Sequence, residues 1–484
     1  MIDSSVRLKI QVYIMSNYSI TRLGVILFTI LFLLLHLASC RAKLAPTIAA
    51  KETPATIKLR FTEPDTTESY IQADQFTSLD LHDYENFKKQ IKPLLDEMAS
   101  KKVVSLGEGT HGSREFYKAR FWITRLLVEE YGFDKIAFET DYADAYLLNE
   151  ALQGGNQEHK QLMKTYLLSI WQNKEVEELL KWIQARNTAN TDKIDLLGID
   201  HPFVLYDARM IQELTAMGAH KATATMAKSF ERLAIYQDSI WNNTNKEGFT
   251  YNAKEWFRNG VKAYQLLDSI EGAVPALNLA AKDKDKLEGV LLNAKLAYDA
   301  FYQYDRFKRE SSRDSCMAEM ASWIVRGEGD KLIIWAHNIH AGKQEVTMSG
   351  YPVGGMGAYI SRKFPDGYYV LGMGTAGGSF AATTDRVITK QSPMASYTLQ
   401  PATAGSLEGE LEQVPAAAFY LTAATLAKLP EKLPHWAVGF GTDSGKDSYV
   451  RASVAKLYDA FIFIKETNAA TPLAGTDSLL VNKP

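Results

Sequence analysis

"KVVSLGEGTHGSREFYKARFWITRLLVEEYGFDKIAFE", residues 102–139, carries the pattern that decides the fold. It opens on an apolar run of strand length, 102–106, closed by a glycine-containing loop. Short runs rich in Val, Ile and Phe between polar or turn residues read as buried strands. Beyond the loop, Phe116, Ala119, Ile123, Leu126 and Leu127 recur at helical spacing. Ser113 stands at the N-cap position, Glu115 in the first turn and Gly132 at the stop. A second strand, 135–139, follows. Strand, helix and strand in this order predict a β-α-β unit with parallel strands.

The alternation continues outward. "KIDLLGID" (193–200), "KLIIWAH" (331–337), "GYYVLGM" (367–373) and "DAFIFIK" (459–465) read as further buried strands. The expected fold is α/β, with an open, largely parallel central sheet flanked by helices. Residues 205–326 break the rhythm with long, helix-patterned and strand-poor sequence. They are expected to form an inserted helical subdomain, which either caps a pocket at the sheet edge or simply packs there. The core then divides into an N-terminal part, 85–204, and a C-terminal part, 327–484. Residues 375–455, rich in Gly, Ala and Thr, carry no pattern that assigns an element, and no internal repeat is present.

The 484 residues are 46% hydrophobic and 23% charged, a composition that supports a large core. A formal charge of −3 and the lack of a long basic run argue against a nucleic-acid partner. The N-terminus is different. Residues 23–39, "LGVILFTILFLLLHLAS", follow Arg22 and end at Cys40. An uncleaved membrane anchor is one reading of this apolar run. The other starts from "LASC", 37–40, which resembles a bacterial lipobox, in which the cysteine is lipidated and becomes the first residue. On that reading 1–39 is a signal sequence, with Met15 an alternative start, and Cys40 fixes the chain to a membrane of the cell envelope. Residues 40–84 then form a tether and lead-in to the core, the stretch 41–60 being polar and rich in Pro, Ala and Thr. Cys316 is the other cysteine, so neither an intramolecular disulfide nor a cysteine zinc site is available to the mature chain.

Ionisable residues gather at the strand ends. The first strand leads to Glu108 and His111, the second ends in Glu139, the third in Asp200 followed by His201, and the fourth runs into His337 and His340. Ligands of open α/β sheets bind outside the carboxyl ends of the strands, so these residues predict a functional cleft. Three chemistries fit it. Gly107, Gly109 and Gly112 spell G-x-G-x-x-G between strand and helix, as in a dinucleotide cradle, but that leaves the histidines unexplained. His111, His337, His340 and the acids are metal-ligand types, although no compact signature such as H-E-x-x-H is present. The third chemistry is metal-free hydrolysis. A histidine takes a proton from an attacking water, a carboxylate (Glu108 or Glu139) fixes its tautomer, and Arg120 or a second histidine stabilises the oxyanion. No G-x-S-x-G elbow is present to supply a serine nucleophile.

"GEGTHGSREFYKAR", "IAFE", "LLGID", "SSRDSCMA" and "WAHNIH", in that order, resemble the erythromycin esterase family, with "GGMGAYI" (354–360) resembling its Met-Gly-x-x-Leu stretch. The resemblance spans roughly 85–465. It implies an ester hydrolase that needs no cofactor and no metal. Family members acting on antibiotics open the macrolactone of erythromycin-type macrolides by adding water. Carried over by motif, His111 is the general base, Glu108 the acid of Gly-Glu-x-x-His and Arg120 the arginine on the following helix. Glu139 is the acid ending the second strand, and His337 and His340 are the Ala-His-Asn-x-His pair. Arg313 and Asp314 match the Arg-Asp before Met-Ala. With Asp200 they are expected either to meet substrate or to buttress the cleft through an ion pair. Phe116, Tyr117 and Trp122 are expected in the core. The expected partners are a small-molecule ester or lactone and, through Cys40, a membrane. Two competing readings are a metal-dependent hydrolase of an envelope glycan or lipid ester, and a surface lipoprotein that binds without turnover.

Overall fold

The structure, a computed structural model, describes residues 56–62, 66–155, 158–302, 312–348 and 351–473. The apolar run 23–39, Cys40 and the first part of the tether lie outside the described residues.

Each of the six expected strands is present: β1 (Val103–Leu106), β2 (Lys135–Asp141), β3 (Asp195–Asp200), β4 (Leu332–Trp335), β5 (Tyr368–Ala382) and, after β6 (Ala418–Thr422), β7 (Ala460–Thr467). They form one sheet in the order β3-β2-β4-β1-β5-β7-β6. The strands from β3 to β7 run parallel, while β6 is antiparallel to β7. Thr77–Ser78 pairs with β6 at the edge, and Ala395–Thr398 pairs with the distal half of β5. The fold is therefore α/β with a central, mostly parallel sheet.

Both faces of the sheet are covered, which is why its strands read as continuous apolar runs. Val104, Leu106, Ile136, Phe138, Ile333 and Trp335 pack on one side against α1 (Arg114–Tyr131) and the helices Tyr84–Met98 and Lys174–Ala189. Val103, Ala137, Leu332 and Ile334 face the other side. There they meet α2 (Leu205–Met217), α5 (Ala281–Tyr302) and α6 (Arg313–Ile324), with α3 (Lys221–Asn243) and α4 (Ala253–Ala273) completing the helical run between β3 and β4. Among the described residues no helix is long and apolar enough to cross a membrane.

Local signals hold with two differences. Gly132 ends α1 in the left-handed region at φ 72°. Ser113 occupies the N-cap position of α1, yet its hydroxyl caps nothing. The tether reading also stops short of residue 60, because Thr56–Thr62 pairs antiparallel with Thr66–Gln72 and buries Leu59 and Phe61 completely. The alternation of Ile57, Leu59 and Phe61 with polar neighbours is that of a half-buried strand.

Candidate active site

Leu106, Trp335 and Phe138 share one rung of the sheet across β1, β4 and β2. One or two residues further on, the three chains deliver Glu108, His337 and Glu139, and β3 ends beside them at Asp200. The sheet register itself thus collects the acids and histidines. Of the expected site residues, every one except Cys40 lies within the described chain. They fall into two hydrogen-bonded groups.

In the first group Glu108 and Arg120 are fully enclosed and His111 is nearly so. His111 Nδ1 lies 2.7 Å from Glu108 Oε1, and Arg120 Nη2 donates to Glu108 Oε2 at 2.6 Å. A carboxylate can only accept here, so in the neutral ring the proton sits on His111 Nδ1 and Nε2 carries the free lone pair. His111 Nε2 makes no hydrogen bond with the described residues. Arg120 is completely buried among Tyr117, Trp171 and Trp335, whose rings lie 4.9, 5.6 and 4.7 Å from its guanidinium carbon. This corrects one expectation. Arg120 stands behind Glu108 with aromatic rings around it, so it orients that carboxylate and does not reach an oxyanion.

The second group joins the other strand ends. Arg313 Nη2 donates to Glu139 Oε1 at 2.8 Å, and Arg313 Nε donates to Asp200 Oδ1 at 3.0 Å. Asp314 Oδ1 lies 2.7 Å from His340 Nδ1 and also accepts the Met356 N–H at 3.0 Å. His340 Nε2 is 3.4 Å from Glu139 Oε1. Arg313 and Asp314 therefore tie the strand ends together through ion pairs, while the Arg313 side chain stays 38% exposed. Burial alone would raise the Glu139 pKa, but His340, Arg313, His111 and the His337 N–H hold it well below the usual carboxylate range. Asp200 is lowered in the same way, the pull of Arg313 outweighing burial. Burial opposes charge on His340 too, yet Asp314 and Glu139 lift it to about 8.

His337 behaves differently. Burial, with His111 and His340 nearby, pushes its pKa down to about 3, so the ring stays neutral. Its Nε2 lies 3.0 Å from Val438 O and 3.3 Å from Gly109 O, and its Nδ1 accepts the Ile339 N–H at 3.3 Å. Both nitrogens are occupied, which leaves no lone pair to act as a base. The ring centroid is 5.1 Å from that of His111, where it forms a wall. His201 is buried beside Asp200 with its pKa lowered by burial to about 4.

The loop glycines are explained sterically. A Cβ on Gly107 would lie 2.2 Å from Asn338 Oδ1, and one on Gly112 (φ 75°) would lie 2.1 Å from Ala381 O. Gly112 N–H is taken by Tyr117 OH, and Arg114 N–H by Asn468 O. Two donors that a phosphate cradle would use are thus spent on the protein, which counts against the dinucleotide reading. Among the described residues, no group of three His, Cys, Asp or Glu side chains is arranged to hold a metal ion.

A family model described as erythromycin esterase matches residues 128–467, well over half of the chain. The chain belongs to the erythromycin esterase family. It is 24% identical over 352 residues to an erythromycin esterase type II of Escherichia coli, covering 67% of this chain and 80% of that one. Among solved structures it resembles a succinoglycan biosynthesis protein with TM-score 0.66 at 20% identity, covering 82% of this chain and 96% of the other. It also resembles a mutant of the erythromycin esterase EreC in its open conformation, with TM-score 0.61 at 17% identity, covering 82% and 98%. At these identities the two solved structures speak for the fold. The family match begins after the Glu108–His111 loop, so that loop's assignment rests on its motif and on the geometry above.

Three further contributors to the site of this erythromycin esterase-family chain were not among the expected site residues. Trp171 walls Arg120 and lies 6.4 Å, ring to ring, from His111. Val438 supplies a carbonyl to His337, and its N–H bonds Gly109 O at 2.9 Å. Asn338 grips Met373 of β5 through both ends of its amide, at 2.7 and 3.2 Å. Only Asn338 stood inside a motif.

Proposed function

We propose that this chain is an ester hydrolase that adds water to a carboxylic ester or lactone, with His111 as general base. The observation that carries this reading is the His111–Glu108 bond of 2.7 Å, which leaves His111 Nε2 as the free base. Nε2 takes a proton as water attacks the ester carbonyl, and Glu108, fixed by Arg120, stabilises the imidazolium. His340, whose pKa near 8 keeps it charged at neutral pH, and the part-exposed Arg313 donate to the developing oxyanion. His111 then returns its proton to the leaving alkoxide.

The substrate class extends to macrolactones through the relatives that are erythromycin esterases. The lipobox-like "LASC" supports attachment at Cys40, with the cleft working at a membrane of the cell envelope. The test is to incubate purified protein with macrolides, smaller lactones and open-chain esters, and to search by mass spectrometry for a gain of one water. At least one ester is expected to open. Tight binding without any product would favour the reading of a surface protein that binds without turnover.

A further inference from the structure

A second buried histidine–carboxylate pair lies outside the cleft. His435 Nδ1 is 2.7 Å from Glu408 Oε1, and its Nε2 is 2.8 Å from Tyr458 OH. Glu408 is completely buried and His435 nearly so, and Glu408 Oε1 also accepts the Trp436 N–H at 3.0 Å. Burial and the nearby Glu408 push the Tyr458 pKa far up, so the phenol keeps its proton and donates to His435 Nε2. The group packs flush on β5 because two positions there lack side chains. A Cβ on Gly372 would lie 2.9 Å from the Tyr458 ring, and one on Gly374 would lie 2.7 Å from Phe461.

From this anchor the chain runs three residues to Val438, the residue that grips the catalytic loop. Val438 N–H holds Gly109 O, which lies between Glu108 and His111, and Val438 O receives His337 Nε2. Next to His337, Asn338 fixes Met373 of β5 beside Gly374. We propose that Glu408, His435 and Tyr458 are positioning residues: they lock the segment 435–438, and so set the His337 ring and the Gly109 carbonyl that place His111. None of them touches the reacting atoms. A displacement of about 1 Å at a catalytic group can lower a rate about 100-fold, so such a device is worth its buried polar cost.

This role rests on the hydrolase reading for its kinetic consequence but not for its structural one, and the experiment separates the two. Full-length protein in detergent is labelled with ¹⁵N-histidine, and the His337 Nε2–H signal is assigned by its loss in His337→Asn. Tyr458→Phe, which keeps the ring and deletes one hydrogen bond, is expected to shift that signal. It should also lower kcat for 4-nitrophenyl butyrate by about 3- to 10-fold at unchanged KM. His435→Phe should lower kcat per folded molecule by up to about 100-fold. Glu408→Gln retains an oxygen for both donors, so the signal and the rate should stay near those of the parent. A His337 signal and a kcat per folded molecule that stay unchanged in Tyr458→Phe and His435→Phe, with only Tm lowered, would overturn the role. So would a loss in Glu408→Gln as deep as in His435→Phe. If the parent protein hydrolyses no ester, the proposed function falls while the signal shift still decides the positioning.

Discussion

His111 and His435 are the same device in two settings. Each bonds a buried glutamate through Nδ1 at 2.7 Å. They differ at the other nitrogen. His435 Nε2 is filled by Tyr458 OH, and its side chain is 2% exposed. His111 Nε2 makes no bond with the described residues, and its side chain keeps 6% exposure at the strand ends. The glutamates differ too. Glu108 is neutralised by Arg120, whereas Glu408 Oε2 is buried without a hydrogen-bond partner among the described residues. A histidine–carboxylate pair is thus not a catalytic signature by itself. On the proposed mechanism, what the far nitrogen meets decides between chemistry and scaffolding.

The largest expected effect breaks that symmetry directly. His111→Ala should lower ester hydrolysis by about 10²–10⁴-fold, the typical worth of a general base, with Tm almost unchanged. His435→Ala should do the reverse in emphasis, lowering Tm clearly and the rate less. Steady-state kinetics and differential scanning fluorimetry on both variants check this. Equal rate losses would show that the difference at Nε2 does not matter.

A smaller effect separates the glutamates. Glu108→Gln removes the charge that pairs with Arg120 and leaves a guanidinium buried in an aromatic box. Breaking a buried pair by deleting one partner costs about 3–5 kcal/mol. Chemical denaturation should therefore find Glu108→Gln less stable by about that amount, while Glu408→Gln, which unpairs no cation, loses much less. A tolerated Glu108→Gln would mean that the aromatic rings alone suffice for Arg120.

How much of this was legible depended on whether a signal was local. The strands β1 to β4 were readable because both faces are buried, and Leu332–Trp335 feeds both cores residue by residue. The second half of β5, "TAGGSFAA", was not, because its strand character comes from partners: a Cβ on Gly378 would lie 2.0 Å from Thr467 O. The strand β6 is five residues long in an Ala- and Thr-rich stretch and has no period to detect. In the site, residue types at strand ends gave Glu108, His111, Glu139, Asp200, His337 and His340. The burial of Arg120 and the capture of His337 by Val438 arise from tertiary packing alone. Glu408 and His435 carry no sequence signal for the same reason, since each lies in a segment without a motif.

The smallest effect concerns pH and a third histidine, intermediate between the other two. His340 gains Asp314 at Nδ1 and approaches Glu139 with Nε2, which lifts its pKa from 6.5 to about 8. Because the folded value lies above the unfolded one, this contribution is fully present below pH 6.5 and fades as pH rises through 8. Its size is at most about 2 kcal/mol, from the span between the two values. Tm should therefore decline by a few degrees between pH 6.5 and pH 8.5, and His340→Gln should flatten that slope. The same proton sets the reaction if His340 donates to the oxyanion, so kcat should lose an alkaline limb near pH 8 in His340→Gln. A parent rate that stays level through pH 9 while Tm still declines would assign His340 to the scaffold with His435, and leave Arg313 as the donor that meets the oxyanion.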